Sequence, residues 1–572
     1  MPPATPAEAK SPAARKNTIK VRKRRIEQDD VNVVDKPTLK TAMGGTLVGN
    51  FMEWYDVGVY GYLAVTMGRL FLPEGSEAAQ SLFGLATFAV TFIARPLGGV
   101  VFGHFGDKIG RQKILALTLI MMAASTAIIG ILPTAATWGV WATGILILLK
   151  LIQGFSTGGE YAGATTFVSE YAPDKKRGFF ASFLDLGSYL GFASGALLVT
   201  LLEVGLGEET MLAWGWRIPF LVAIPLGASA IYFRLKIEES PAYAAALDQA
   251  EARNEDAIDP KMTETGTKGV LKHYWREILV AFTLVAAANT AGYALTSYMP
   301  TYLTESLGYD VLKGTAVTVP VLVAMALLIP FGGKLSDKIG RRPVLWLASG
   351  LTIVLAIPAF MLMQRGEVWA TALGLGMMAL SVLFYVANLA SALPAQFPTA
   401  SRYAGMGIAY NLAVAIFGGT AGLIMESLIQ ATGNTMMPAY WLMATSVVGA
   451  IAVIFLKESA NRPLPGSMPS VETDEEAREI VENQVENENI DHDLLPLDVV
   501  PVRHPDALPA DSAETLEVPL SSMGDDVLAE ARTHTAGQGA GAAGGLGVDP
   551  AAGLGVDPDV DPHPAAPRRA AD

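Results

Sequence analysis

A short charged loop occurs twice in this chain, at the same place in each of two apolar halves. The segment GHFGDKIGRQK at residues 103–113 returns as GKLSDKIGRRP at residues 333–343, so that Asp107 matches Asp337 at an offset of 230 residues. Each copy lies between two long apolar stretches. A repeated charged turn between hydrophobic segments is typical of a duplicated membrane bundle. The sequence therefore predicts two related sets of membrane-spanning helices.

The composition supports a membrane protein. Of the 572 residues, 51% are hydrophobic and 17% are charged, whereas ordinary globular domains are about 25% charged. The absence of cysteine excludes disulfides, thiolate zinc sites and thiol nucleophiles. No nucleotide-binding or metal-binding motif occurs, so neither a cofactor nor a metal is expected. The GFSTG run at residues 154–158 matches a hydrolase pattern, but it lies inside an apolar segment rather than after a strand, so no enzyme is predicted.

Apolar runs of about 20 residues, the length that crosses a hydrocarbon core, are separated here by charged or Gly/Pro-containing breaks. Together with the duplication they predict an all-α membrane protein with twelve transmembrane helices in two pseudo-symmetric six-helix bundles. The predicted spans lie near residues 41–68, 80–103, 112–132, 139–168, 178–203, 214–235, 276–304, 314–335, 343–363, 368–392, 404–429 and 438–457.

The charges of the loops predict the orientation, because cytoplasmic loops carry an excess of Lys and Arg. The loops after spans two, four, eight and ten hold eleven such residues, namely Lys108, Arg111, Lys113, Lys175, Lys176, Arg177, Lys334, Lys338, Arg341, Arg342 and Arg402. The opposite loops hold three, Arg69, Lys313 and Arg365. Both termini are therefore predicted to be cytoplasmic, in a multi-pass protein of the plasma membrane.

Five regions follow from the spans. The prediction is a basic cytoplasmic tail at residues 1–38, a first bundle at 39–236, a central cytoplasmic loop at 237–274, a second bundle at 275–459 and an acidic cytoplasmic tail at 460–572.

The two tails differ in charge. Ten Lys or Arg residues within residues 1–40 fit a nucleic-acid or phosphoinositide patch. A cytoplasmic tail beside anionic lipids is the simpler interpretation, and no nucleic-acid partner is expected. Residues 467–572 hold 23 acidic and 5 basic residues. That tail is predicted to be mostly disordered, although Asp474 to Leu495 has the pattern of one acidic helix.

The first span carries charges, which are costly inside a membrane. Glu53, Asp56 and Tyr60 are spaced i, i+3 and i+7 and therefore share one helix face. Two neighbouring carboxylates in a low-dielectric site favour reversible protonation, so Glu53 and Asp56 are candidates for proton coupling. The alternative is that one of them forms a salt bridge that holds two helices together.

Spans two and four add three charges. Arg95 in span two is the natural counter-charge and is predicted to pair two helices. Lys150 and Glu160 stand ten residues apart, about 15 Å along a helix, and cannot pair directly. They are candidates for binding the two ends of a small solute or for a proton relay, with Glu160 as a further proton-coupling candidate. The alternative, supported equally, is that Lys150 neutralises a carboxylate of span one.

Span five contains Asp185, a third carboxylate that would attract a cation, a proton or the ammonium end of a zwitterion. Beside it, Gly187, Gly191 and Gly195 form a small-residue ridge that favours close helix packing. Aromatic side chains interleave with these charges and bind ammonium groups through cation–π attraction. Together with Lys150, the substrate-binding candidates are Trp54, Tyr60, Tyr161, Tyr189 and Tyr293.

The repeated loop offers polar groups that can join helix ends. Its aspartates can accept hydrogen bonds from the first amides of the next helix or from arginines, and its arginines can bridge to acidic residues across the bundle. A latch of this kind suits a change of conformation, whereas the alternative is a turn that only fixes topology. The candidates for ion pairing and gating, besides Arg95, are Asp107, Arg111, Arg177, Asp337, Arg341 and Arg402.

At these residues the chain resembles the major facilitator superfamily. The runs GNFMEWYD at residues 49–56, RPLGG at 95–99, QGFSTGGEY at 153–161 and WGWRIPF at 214–220 are similar to its metabolite:proton symporter family. Within that family, the proline/glycine betaine osmolyte transporters are resembled most, through the further matches Lys150, SFLDLGS at residues 182–188, YMPTY at 298–302, MMPAY at 436–440 and KESANRP at 457–463.

The resemblance covers residues 38–465 and implies the twelve-helix fold, proton symport and activation by rising osmolality. Some members carry a C-terminal coiled coil that tunes this activation, and the acidic tail of this chain departs from that pattern.

The sequence thus predicts a proton-coupled importer of zwitterionic osmolytes such as proline, glycine betaine and ectoine, with a small zwitterion and protons as its partners. One alternative is a proton symporter of an organic anion, such as a dicarboxylate or shikimate, which would favour a second buried cation. A remote alternative is a transporter-like osmosensor whose acidic tail is the output domain.

Overall fold

Two compact units separate in the chain, one of Met1–Arg22 with Val499–Asp572 and the other of Lys23–Asp498. Each is described by itself. The computed structural model describes residues 18–109, 111–234, 267–497, 499–501 and 516–519. Most of the predicted central loop at 237–274 and most of the acidic tail lie outside the described residues.

The larger unit is mostly helical. We call residues 36–234 the N-terminal half and residues 267–456 the C-terminal half. The helices of the N-terminal half are α1 Lys36–Phe71, α2 Glu77–Ile93, α3 Arg95–Ile109, α4 Arg111–Ile131, α5 Ala135–Trp138, α6 Val140–Thr157, α7 Glu160–Tyr171, α8 Arg177–Thr210 and α9 Arg217–Arg234. Those that follow are α10 Thr267–His273, α11 Trp275–Tyr293, α12 Met299–Thr301, α13 Val311–Ile339, α14 Arg341–Met363, α15 Val368–Ala392, α16 Thr399–Ala413, α17 Ala421–Thr432, α18 Met437–Phe455 and α19 Asp474–Glu482.

Nine helical segments within the described residues are long and apolar enough to cross a membrane, so the chain is a multi-pass membrane protein. Two shorter apolar helices, Leu117–Ile131 and Arg217–Ser229, coincide with the third and sixth predicted spans. The first predicted span lies in α1, which is 36 residues long. Its glycines and buried polar residues lower its hydropathy, which keeps α1 outside the nine.

Several spans are interrupted rather than straight. The fourth predicted span consists of α6 and α7, which break at Gly158 and Gly159. The seventh, Trp275–Ser306, contains two π-helical turns at Ala294–Tyr298 and Tyr302–Ser306. Such π-turns are rare and frequently mark functional sites. The predicted spans 139–168 and 276–304 are both longer than the roughly 20 residues that cross a hydrocarbon core, and the breaks account for the extra length.

The glycine ridge predicted in span five faces α1. A Cβ at Gly187 would lie 2.7 Å from the carbonyl oxygen of Leu47, and one at Gly195 would lie 2.6 Å from that of Tyr55. At Gly191 an added Cβ would collide with the carbonyl group of Phe51. The missing side chains let the backbones of α1 and α8 touch, which fixes Trp54 and Asp185 on facing helices.

Part of the predicted acidic tail packs against the membrane-spanning helices. Residues 23–34 and 457–497, which we call the cap, share a small hydrophobic cluster that includes Ile26, Val31 and Val471. In the cap, strand β2 (Asn32–Val33) pairs in parallel with β3 (Ser470–Val471). The side-chain amide of Gln484 accepts a hydrogen bond from the backbone N–H of Ile26 at 2.8 Å and donates one to its carbonyl oxygen at 3.1 Å.

The smaller unit contains short strands. Its sheet has the order β4 (Val499–Pro501), β1 (Thr18–Lys23), β5 (Leu516–Pro519), with β1 and β5 antiparallel. Strands were not expected from the all-α prediction. Each is at most six residues long, too short to stand out as a periodic pattern in the sequence.

We predict that Gly191→Ala destabilises the protein, because the added methyl group separates α1 from α8. Overpacking of this kind costs about 1–3 kcal/mol, measurable as a lower unfolding temperature of the purified protein. Gly205→Ala in the same helix is the control, since a Cβ at Gly205 meets nothing within 4 Å. Equal unfolding temperatures for the two variants would contradict this packing.

Candidate functional site

A cavity lies between the two halves of the helical unit. Its open volume is about 30 Å³, room for about two waters where one needs ~10–15 Å³. A solute of the size of proline can therefore enter only after the surrounding side chains move. The lining residues are Trp54, Tyr161, Asp185, Ser188, Tyr189 and Phe192 from the N-terminal half, and Ala288, Asn289, Gly292, Tyr293, Thr296, Val386, Leu389 and Tyr410 from the C-terminal half.

Asp185 is the charged residue of this lining. It is 5% exposed. One carboxylate oxygen accepts a long hydrogen bond of 3.5 Å from the hydroxyl of Tyr161. The other oxygen is buried without a hydrogen-bond partner among the described residues. An ionised carboxylate in such a position costs free energy unless a cation or donor reaches it.

Aromatic rings surround this carboxylate. Tyr161 of α7 stacks on Tyr410 of α16 with ring centroids 4.0 Å apart and planes within 13°. The ring centroids of Trp54 of α1 and Tyr293 of α11 are 5.9 Å apart. Both pairs join the two halves, so the rings close the cavity where the halves meet. We call Trp54, Tyr161, Tyr189, Tyr293 and Tyr410 the aromatic cage.

Next to the cage, Arg95 forms a buried salt bridge with Glu53. The guanidinium carbon of Arg95 lies 5.4 Å from the centre of the Phe92 ring, and Arg95 also interacts electrostatically with Tyr293 and Glu160. The pair joins α1 to the start of α3. Since Tyr293 lines the cavity, Arg95 is one side chain away from it.

Asp56 and Lys150 belong to a separate polar cluster. An oxygen of Asp56 accepts a 2.7 Å hydrogen bond from Gln153, which also donates to Thr126 at 2.7 Å. The ammonium group of Lys150 lies 4.0 Å from the centre of the Tyr60 ring and is attracted by Asp56. Lys150 and Tyr60, both substrate-binding candidates, do not line the cavity in this conformation. Lys150 takes the neutralising position that the sequence left open.

Side chains of the C-terminal half bind the break in the fourth span. The carbonyl oxygen of Gly158 accepts from the amide of Asn411, and that of Gly159 accepts from the hydroxyl of Tyr403 at 3.0 Å. Breaking a helix frees carbonyl groups that need partners inside a membrane. Glu160 begins α7 directly after this break and is 2% exposed.

The second copy of the repeated loop joins the two halves at one end. Asp337 accepts hydrogen bonds from the backbone amides of Gly178 at 2.7 Å and Phe179 at 2.8 Å. It thereby caps the N-terminus of α8, a helix of the other half, where the helix dipole favours an anion. Arg341 donates to the same carboxylate at 2.8 Å. The expected partners were the first amides of the next helix or a nearby arginine. The structure shows the arginine, and in place of the next helix it shows a helix across the interface.

Glu458 fixes the other side of this loop. Its carboxylate accepts hydrogen bonds from the backbone amides of Arg341 at 2.9 Å and Arg342 at 3.0 Å. Burial alone would raise the pKa of Glu458, but these and two further backbone amides outweigh it and hold the pKa below its usual range. The loop turns at Gly340, whose φ of +101° favours glycine.

Two more arginines connect this end of the bundle. Arg402 pairs with Glu170 of the other half at 2.6 Å and donates to the carbonyl oxygen of Pro465 at 2.7 Å. Arg177 pairs with Asp174 and donates to the carbonyl oxygen of Arg462 at 2.8 Å. Each arginine therefore reaches the cap as well as a carboxylate. The side chains of Asp107 and Arg111, in the first copy of the loop, lie outside the described part of the chain.

The cap also contacts the bundle through exposed ion pairs. The ammonium nitrogen of Lys175 lies 3.4 Å from a carboxylate oxygen of Glu476, and that of Lys176 lies 2.6 Å from one of Glu472. Exposed pairs of this kind contribute little individually and weaken as salt concentration rises.

Sequence reasoning missed Tyr410 and Asn289 of the cavity lining, and the buried Glu426 of α17. The charged residues predicted to couple protons or to bind the substrate all came from the N-terminal half. Tyr410 lies in an apolar run without a charge beside it. The feature of the sequence that could have identified Tyr410 is its place in span eleven, which the duplication makes the counterpart of span five.

Residues 43–467 match the family described as sugar (and other) transporter. The chain belongs to this transporter family. It is 51% identical over 493 residues to the ectoine/proline transporter ProP of Corynebacterium glutamicum, covering 85% of this chain and 97% of that protein. It is 42% identical over 475 residues to the proline/betaine transporter of Escherichia coli K12, covering 82% and 94%.

The fold of this family member is that of the major facilitator superfamily. The proton:xylose symporter XylE, bound to 6-bromo-6-deoxy-D-glucose, superposes with a TM-score of 0.58 at 18% identity, covering 75% of this chain and 98% of XylE. The chain therefore has the fold that the resemblance of the sequence implied.

We predict that Asp337→Asn destabilises this transporter, because it removes the charge that caps α8 and pairs with Arg341. Weakening charge-assisted hydrogen bonds costs about 1–3 kcal/mol, measured as a lower unfolding temperature. Asp310→Asn is the matched control, since Asp310 precedes α13 without a side-chain capping bond. An unchanged unfolding temperature in Asp337→Asn would contradict the capping role.

Proposed function

We propose that the chain is a proton-coupled importer of small zwitterionic osmolytes, among them proline, glycine betaine and ectoine, activated by rising osmolality. The relatives named above are transporters of ectoine, proline and betaine at 42–51% identity. Each match covers more than four fifths of the chain. Identity of this extent supports a shared class of solute.

The observation that carries this proposal is the half-satisfied carboxylate of Asp185 inside the aromatic cage. Aromatic faces attract ammonium groups, and the attraction is strongest where water is excluded. A solute with a quaternary or secondary ammonium would place its positive charge among these rings and compensate Asp185. Sugars offer no such charge.

The carboxylate end of the zwitterion needs a cation, and Arg95 supplies it in our proposal. When Glu53 takes up a proton, the salt bridge loses its attraction and Arg95 is free to turn toward Tyr293 and the solute. Binding of a proton and binding of the solute then favour each other, which is the requirement for symport. Glu160, which Arg95 also attracts, is a second candidate for the proton. Asp56 and Asp185 remain further candidates for proton coupling.

The membrane arrangement is part of the proposal. We infer twelve spans, both termini in the cytoplasm and a plasma-membrane location from the apolar segments and from the eleven basic residues of the even loops. The end that carries Asp337 and Arg402 would then face the cytoplasm. The basic N-terminal tail would lie near anionic lipids.

Uptake into proteoliposomes tests the function. Labelled proline and glycine betaine should accumulate under an inward proton gradient, and a proton ionophore should abolish accumulation. In competition, ectoine should displace both solutes, whereas 2-oxoglutarate and shikimate should not. Uptake that is unaffected by collapsing the gradient would contradict symport, and displacement by the organic anions would support the alternative substrate class.

That alternative, a symporter of organic anions, fits the cavity less well. Among the described residues that line it, Asp185 is the charged one and no Lys or Arg is present. An organic anion placed there would be repelled by Asp185.

We predict that Tyr410→Ala raises the KM for glycine betaine, because it removes a wall of the cage that contacts the ammonium group. A cation–π contact of about 1.4 kcal/mol corresponds to roughly tenfold. Uptake kinetics measure the change, with Tyr440→Ala as control because Tyr440 is 45% exposed. A KM equal to that of the unmodified protein would contradict a cage around the ammonium group.

We predict that Glu53→Gln uncouples transport from the proton gradient. The neutral amide mimics a permanently protonated carboxylate, so exchange of internal for external solute should persist while gradient-driven accumulation is lost. Both are measured in the same proteoliposomes, with the exposed Glu209→Gln as control. Full accumulation by Glu53→Gln would show that the coupling proton binds elsewhere.

A sensor with the tail as its output is the remaining alternative, and truncation distinguishes it. Deleting residues 499–572 leaves the cap intact, whereas deleting residues 467–572 removes part of its hydrophobic cluster. We expect transport from both truncated proteins and a changed osmotic response in the longer deletion alone. Loss of transport in both would favour an essential output domain.

A further inference from the structure

Glu426 is a buried carboxylate in the C-terminal half. It lies in α17 and is 4% exposed. Its partners are neutral, since the hydroxyls of Tyr298 and Ser306 donate to one oxygen at 3.0 Å and 3.2 Å and the amide of Gln430 donates to the other at 3.2 Å. None of the ion pairs among the described residues includes it. A charge held in this way stabilises whatever arrangement brings its donors together.

Those donors come from the two π-helical turns of the seventh span. Tyr298 ends the first turn and Ser306 ends the second. Eight residues correspond to about 12 Å along a regular α-helix, yet both hydroxyls meet at the same oxygen. Glu426 therefore joins the two ends of an irregular segment, Tyr298 to Ser306. Such a segment can change its shape more easily than a regular helix.

The segment from Tyr298 to Ser306, with Ser297 directly before it, also contacts the N-terminal half. A Cβ added at Gly61 of α1 would lie 3.2 Å from the Cβ of Ser297. Farther along, Glu305 is attracted by Arg69. Because Tyr293 and Thr296 of the same span line the cavity, this segment covers the cavity on the side away from Asp337 and Arg402. The charged groups around Glu426 are Glu305, and through it Arg69 and Glu77.

We propose that Glu426 is a positioning residue whose charge holds the segment from Tyr298 to Ser306 closed over the cavity. Neutralising the charge loosens this end of the bundle, which shifts the population toward the conformation that is open there. The inference rests on the proposed function only in requiring that the protein opens alternately at its two ends.

Cysteine labelling tests this directly, because the natural chain contains no cysteine. Ser297→Cys reports on the end that Glu426 closes, and Ser182→Cys reports on the other end, where the Ser182 hydroxyl would lie 2.8 Å from a Cβ at Gly333. The rate of reaction with a bulky polar maleimide is measured for each cysteine in detergent, without solute. Adding Glu426→Gln should increase the rate at position 297 several-fold and decrease or leave unchanged the rate at position 182.

An unchanged rate at position 297 would overturn the proposal. Equal increases at both positions would also overturn it, since they indicate general loosening of the fold. Glu426→Asp keeps the charge, so the cysteine at position 297 should react more slowly with Glu426→Asp than with Glu426→Gln. Equal reaction rates would show that the charge does not hold the segment closed. In a background of Tyr298→Phe and Ser306→Ala, Glu426→Gln should add little, because the two hydroxyls through which Glu426 holds this segment are already gone.

Uptake kinetics give a second, independent measure. A shift toward the open conformation should lower the KM for external solute in Glu426→Gln and change the maximal rate in a different proportion. If no solute of the proposed class is transported at all, the labelling result still decides the role of Glu426. A loss of maximal rate with an unchanged KM and unchanged labelling would mean a merely structural residue.

Discussion

A buried carboxylate requires compensation, and much of the helical unit is arranged around this requirement. The free energy of removing a charge from water exceeds that of most single contacts. Four carboxylates of the spans are compensated in four ways. Glu53 has the guanidinium of Arg95, Asp56 has Gln153 and the nearby Lys150, and Glu426 has neutral hydroxyls. Asp185 has one long hydrogen bond from the hydroxyl of Tyr161, and it alone of the four lines the cavity.

The repeated loop and the interrupted seventh span close opposite ends of the same structure. At one end Asp337 caps a helix of the other half, and Arg402 pairs with Glu170 across the interface. At the other end Glu426 holds the segment that contacts α1. Opening either end requires breaking polar contacts that the opposite end does not share. Such a pair of discrete arrangements is what alternating access requires.

The sequence predicted the scaffold better than the contacts. The duplication and the apolar spans predicted the fold class, and the charges of spans one to five were recognised as unusual because charges rarely occur there. Arg95 was predicted as a counter-charge for span one, but the partner of Asp337 could not be predicted, since it is the N-terminus of a helix 159 residues away. Glu426 escaped notice because no second charge stands near it in the sequence.

The cap shows a second limit of sequence reasoning. Ile26 and Val471 belong to one hydrophobic cluster although most of the chain separates them. The elements around them are only a few residues long, so neither has a clear periodicity. Composition described the acidic tail as a whole, whereas the part up to residue 497 is anchored by Arg177, Arg402 and residues 23–34.

Calorimetric titration of the purified protein with glycine betaine tests the central claim, that Asp185 and the aromatic cage bind an ammonium group. Asp185→Asn preserves the shape of the side chain and removes its charge. We expect the unmodified protein to bind glycine betaine and Asp185→Asn to bind it at least about tenfold more weakly, a difference of about 1.4 kcal/mol. Equal dissociation constants for the two proteins would contradict the claim.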